Sequence, residues 1–147
     1  MTTVVIGDPP ITVIGPNIPG PPGPEGPPGP SGGSAFVRQA AQALSGHRVV
    51  KAVANNEVDY ASNDQAADAG LIEGITTGAA GQGEDIEVQA MGEMIEGSWS
   101  WSLGPIFCGL GGQLTQSPPS GAWIRQVAVA VDTDRIVINL QPPIITP

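Results

Sequence analysis

The chain has 147 residues, of which 21 are glycine, 16 are proline and only 4% are aromatic, and its 14 acidic and five basic side chains leave a formal net charge of −9. Glycine and proline at this frequency exclude a helical bundle and favour short strands joined by many turns. Ten of the acids fall between Glu57 and Glu96, a span without Lys or Arg, which excludes a nucleic-acid interface built on a basic footprint.

Residues 1–19 hold two β-type runs, TTVVI and ITVIG, separated by GDPP. β-Branched residues favour strands, but so short a segment has no core of its own and gains order by pairing with a neighbour's sheet. It reads as an anchoring arm, with Val4, Val5, Ile6, Ile11, Val13 and Ile14 as its contact residues. The opening MTTVVIGDPP lacks the positive start and cleavage site of a secretory signal, so synthesis in a cytoplasm is expected. No apolar run approaches the roughly 20 residues that cross a bilayer, so no membrane insertion is expected.

In GPPGPEGPPGPSG, glycine recurs at Gly20, Gly23, Gly26, Gly29 and Gly32, with proline opening each of the four intervening pairs. Only glycine fits at the axis of a collagen triple helix, so residues 20–33 read as a collagen-like stalk of three chains. A polyproline linker is the competing reading, but a linker has no need of glycine in strict register. Four triplets would span about 37 Å and need flanking segments that also trimerise.

Residues 34–46, SAFVRQAAQALSG, form a connector. Ser34 can cap a helix, Phe36, Val37, Ala40, Ala41 and Leu44 share a helical face, and Gly46 stands where the helix would stop. The spacing predicts a short helix over 35–44, with an extended strand as the alternative.

From His47 to Pro147 the pattern is β. HRVVKAV and EVDYA flank Asn55-Asn56, a hairpin turn because Asn tolerates positive φ. LIEGITT, EDIEVQAM, GPIFCGL, GQLTQ, WIRQVAVAV and RIVINLQ follow, the last two joined by the turn Asp132–Asp134. Ile136, Ile138 and Leu140 share one strand face, and Val127, Val129 and Val131 alternate in the same manner. The closing QPPIITP reads as an edge or a surface exit, since proline cannot donate to a ladder. The fold class is therefore mainly β, a small barrel or sandwich knob behind a collagen-like stalk and an extended arm.

Chemistry is weakly represented. His47 is the sole histidine and reads as structural or superficial, and Cys108, in the apolar run PIFCGL, reads as a small buried hydrophobe that cannot form an intrachain disulfide. DQAAD and GEDIE lack the alternating ligand pattern of a calcium loop, and GLGGQ lacks the lysine of a phosphate loop. A glycan-processing carboxylate pair is the enzymatic alternative. No catalytic residue, metal or cofactor is predicted. Trp99 and Trp101 alternate in SWSWS, so both are expected to project from one face of a strand. With Trp123 they are candidates for ligand or interface contact, against burial in a core short of large side chains.

The stretches AGLIEGITTGAAGQGEDIEVQAMGEM, SWSWSLGPIFCGLGGQLTQSPP and IVINLQPPI resemble a small module of tailed-bacteriophage virion proteins, over roughly Ala61–Ile145. In such proteins a glycine-rich β module often follows a short collagen-like repeat. The resemblance implies a homotrimeric, non-enzymatic virion protein, made in the host cytoplasm, whose N-terminus docks on capsid, tail or baseplate proteins and whose knob faces solvent. Its expected role is adhesion to a host glycan or pilus as a tail or head fibre; capsid decoration is the alternative.

Overall fold

A computed structural model describes Gly23 and residues 35–146. The arm residues Val4, Val5, Ile6, Ile11, Val13 and Ile14, and the stalk glycines Gly20, Gly26, Gly29 and Gly32, lie outside the described residues.

The chain is mainly β. Strands β1 (Ala35–Ala40), β2 (Val49–Ala54), β3 (Glu57–Tyr60), β4 (Ile72–Thr76) and β5 (Asp85–Gln89) close into a barrel in the order β1-β3-β2-β4-β5. Strands β6 (Met91–Ile95), β7 (Gly104–Cys108), β8 (Leu114–Thr115), β10 (Gln126–Asp132) and β11 (Arg135–Asn139) make a second sheet, ordered β6-β11-β10-β7-β8. A two-stranded ribbon pairs β9 (Trp123–Ile124) with β12 (Ile144–Ile145), so QPPIITP does end on a short pairing.

The expected helix over 35–44 is replaced by β1. Phe36 and Ala40 also satisfy a period of two, with Phe36, Arg38 and Ala40 turned inward and Val37 and Gln39 exposed. Pairing decides between the periods: β1 runs antiparallel to β5 from Ala35↔Gln89 to Gln39↔Asp85, and parallel to β3 at Gln39↔Glu57 and Ala40↔Val58. β1 is thus the stave that closes the barrel, so the β module includes residues 35–40, ahead of His47. The two expected hairpins are present. Asn56 supplies φ +62° between β2 and β3, and Asp132 Oδ1 accepts the Thr133 amide at 2.7 Å between β10 and β11.

Two apolar clusters divide the interior. Ala40, Leu44, Val50, Val58, Ile86 and Val88 fill the barrel. Val49 and Ile75, on the barrel's other face, pack with Met94, Ile106, Cys108, Ala128, Ala130, Ile136 and Ile138 of the sheet and with Trp123. Consecutive Val49 and Val50 therefore enter opposite clusters, because β2 is covered on both faces. On β10 the inward positions are Ala128 and Ala130, opposite Ile138 and Ile136, while Val129 is half-buried and Val131 exposed. A bulge at Gln126–Ala128 adds Val127 to the core and shifts the register from the one that alternating valines suggest.

Buried polar groups are held in place. Asp68 accepts Lys51 Nζ at 2.6 Å and the Ser62 amide at 2.9 Å. Gln89 donates its amide nitrogen to the Met91 and Glu93 carbonyls at 3.0 and 2.8 Å. Gly74 permits the close approach of β4 to β5, since a Cβ there would lie 2.4 Å from the Gln89 carbonyl oxygen.

Candidate functional site

The site grows from the turn that precedes β2 and the loop between β6 and β7. His47 adopts φ +59°, donating its amide to the Thr76 carbonyl at 2.8 Å. The buried Thr76 hydroxyl oxygen accepts the Arg48 amide at 3.0 Å and donates to the Ser45 carbonyl at 2.8 Å. This fixes the turn so that both side chains stand on the same surface. Arg48 donates to the Gly111 carbonyl at 3.1 Å, and its guanidinium carbon lies 5.4 Å from the centre of the Tyr60 ring.

SWSWS lies in the loop and not on a strand, which corrects the expectation of a shared strand face. The loop is nevertheless ordered by hydrogen bonds. The Trp99 amide donates to the Glu96 carbonyl at 3.0 Å, the Trp101 amide to the Thr133 carbonyl at 2.9 Å, and Gln116 clamps both the amide and the carbonyl of Ser102. The two indoles come together, with ring centres 5.7 Å apart and planes inclined at 57°. His47 meets Trp99 edge-on at 5.0 Å, a geometry that aromatic quadrupoles favour.

His47, Arg48, Trp99, Trp101, Gln113 and Leu114 enclose an open groove of about 280 Å³. Its lining combines two indoles with the polar side chains of His47, Arg48 and Gln113. Trp99 and Trp101 are half-buried against the core shared by barrel and sheet, so their orientation is held by packing. The Trp101 indole nitrogen is buried and has no partner among the described residues. Glu96 lies at the His47 end, where its carboxylate accepts the Ser98 hydroxyl; that bond, aided by the charge of His47, holds its pKa below the usual value. Indole faces take the C–H faces of sugar rings, and Arg48, His47 and Gln113 supply hydrogen-bond donors around them.

Trp123 does not belong to this site. It is fully buried in the shared core and donates its indole N–H to the Gln65 carbonyl at 2.8 Å, so it has a packing role and no surface for a ligand. Cys108 is also buried, as expected. Burial pushes its thiol from the ordinary 9.0 up to about 12, with Asp68 adding and Arg125 opposing. Among the described residues no group of three or more His, Cys, Asp or Glu side chains could hold a metal ion, and no helix is long and apolar enough to cross a membrane.

Sequence reasoning found the Trp99–Trp101 pair but not its neighbours. His47 and Arg48 lie more than 50 positions upstream of the tryptophans, and the packing of the sheet on the barrel brings them alongside. The usable signal was Gly46-His47, a break in the pattern immediately before a strong strand. No family model and no curated protein matches the chain.

Proposed function

We propose that the chain is a non-enzymatic structural protein of a bacteriophage virion, a homotrimeric short fibre that docks by its N-terminal arm and presents the β module to the host surface. The observation that carries this reading is the strict glycine register at 20, 23, 26, 29 and 32, placed immediately before a folded β module. A triple helix needs glycine at every third position and three chains. Proline lowers the entropy lost on ordering the stalk because its φ is already fixed.

The groove between His47 and Trp101 supports an adhesive role. Its two tilted indoles and the donors beside them suit a host-surface saccharide, and three copies on one stalk would turn weak single contacts into avidity. The mechanism is mechanical: the arm holds, the stalk spaces and the three grooves engage together.

The test has two arms. Purified protein should bind host cells, and a Trp99→Ala/Trp101→Ala variant should lose at least about tenfold in affinity, as anchor aromatics do at binding hot spots. Copy number per particle should be a few tens or fewer. Hundreds of copies would instead favour a capsid-decorating role, and release of reducing ends from host polysaccharide would overturn the non-enzymatic reading.

A further inference from the structure

The sheet β6-β11-β10-β7-β8 has two faces of unlike fate. Its inner face, with Met94, Ile136, Ile138, Ala128, Ala130 and Ile106, is sealed against the barrel. An antiparallel sheet with one solvated face normally alternates apolar-in with polar-out. Here the outer face breaks that rule. One row across the sheet reads Glu93, Val137, Val129, Pro105, taken from the registers Glu93↔Val137, Val137↔Val129 and Val129↔Pro105. Met91 and Ile95 flank it on β6, and they are 56% and 52% exposed.

Charge on this face cancels. Glu93 and Arg135 lie 3.8 Å apart and neutralise each other, and the other sheet-side acids, Glu96, Asp132 and Asp134, sit at one end of the sheet. The barrel strands and their loops carry Glu57, Asp59, Asp64, Glu84, Asp85 and Glu87, besides Asp68 and Glu73, which are paired with Lys51 and Arg38. Two copies meeting barrel-to-barrel would bring these acids together; two copies meeting sheet-to-sheet would not. Edge-to-edge pairing through β6 is blocked as well. The Met91 and Glu93 carbonyls on its open side already accept the Gln89 amide nitrogen.

We infer that the outer face of this sheet is the surface through which the β module packs against two further copies of itself, with Met91, Ile95, Val129 and Val137 at the contact. The inference rests on the trimeric reading, since the glycine register is what calls for three chains. It adds the face that trimerises at the C-terminal side of the stalk. Four triplets need such a clamp, and an apolar, charge-balanced sheet face provides it without exposing strand edges.

The experiment uses the full-length chain carrying a single added cysteine, Ile95→Cys on the sheet face or Val53→Cys on the barrel. The two native positions are comparably exposed in one chain, 52% and 46%, and native Cys108 is buried and does not compete. Solution mass is read by light scattering and accessibility by the rate of labelling with a neutral maleimide. The expected result is a mass of three chains, with Ile95→Cys labelled at least about tenfold more slowly than Val53→Cys because a packed interface excludes reagent. A Met91→Lys/Ile95→Lys variant should raise the concentration of half-dissociation at least about tenfold, since an unpaired charge is costly to bury, and a Val37→Lys/Val53→Lys variant should not. Three-chain mass with equal labelling rates overturns the assigned face and leaves the trimeric reading standing. A single-chain mass overturns the trimeric reading, and this inference with it.

Discussion

The barrel and the sheet solve the problem of strand edges in opposite ways. Closure of β1-β3-β2-β4-β5 leaves the barrel without free edges, and its small aliphatic interior is complete within those strands and their loops. The sheet stays open, and its two edges are handled separately: β8 has only two residues, and β6 is covered by the Gln89 side chain. The barrel fills its own interior and needs the sheet to cover Val49 and Ile75, whereas the sheet needs cover on both faces. The barrel covers one, and the outer face keeps Met91, Ile95 and Val131 exposed in the single chain. The difference teaches that an interaction surface in a small β protein can be recognised by where alternation fails.

The junction between the two regions should be the most sensitive point. Trp123 is the largest fully buried side chain and sits in the core that both share. Trp123→Ala should cost about 3–5 kcal/mol in urea unfolding. If the loss were confined to one region, leaving the other's transition unchanged, barrel and sheet would be independent units.

Barrel closure itself is tested at Gly74. An added methyl meets backbone at the Gln89 carbonyl, which cannot move without parting β4 from β5, so Gly74→Ala should cost about 1–3 kcal/mol. Gly78→Ala, which meets open space, should stay within about 0.5 kcal/mol.

Cys108 reports on the sheet side of the shared core. Its folded thiol has a pKa raised from 9.0 to about 12, so the native state favours the protonated form. That contribution is fully present below pH 9 and is lost as pH rises from 9 to about 12; Cys108→Ala should flatten the stability profile in this window. In the native protein at pH 8, thiol labelling should be strongly slowed relative to the unfolded chain, because burial both raises the thiol pKa and excludes the reagent.

The smallest effect should come from the outer face within one chain. Arg135 and Glu93 are each 41% exposed at 3.8 Å, and Arg135→Ala should change the stability of an isolated chain by less than about 1 kcal/mol. A larger loss that depends on protein concentration would point to a role between chains, and so would sharpen the contrast between the two faces.

Much of the fold was legible in the residues. Asn55-Asn56 and Asp132–Asp134 announced both hairpins because their turn chemistry is local. Ile136 and Ile138 announced a core face because alternation needs no partner to be read. β1 was harder, since Phe36 and Ala40 fit periods of both 3.6 and two, and only pairing with β5 and β3 selects one. The valines of β10 misled for a related reason: a bulge, invisible in sequence, hands the inward positions to Ala128 and Ala130. At the site, SWSWS signalled an aromatic pair, but a loop rather than a strand presents it. Trp123 shares the residue type and not the location. His47 and Arg48 join the groove through the packing of the sheet on the barrel, which no local spacing encodes.

The most direct test of the account is the solution mass of the full-length chain, compared with that of a chain lacking residues 20–32. The account predicts a full-length mass of three times 14.9 kDa, with the shortened chain dissociating at higher concentration than the full one because the stalk contributes to assembly. A full-length chain that remains a single 14.9 kDa species at every concentration would contradict it.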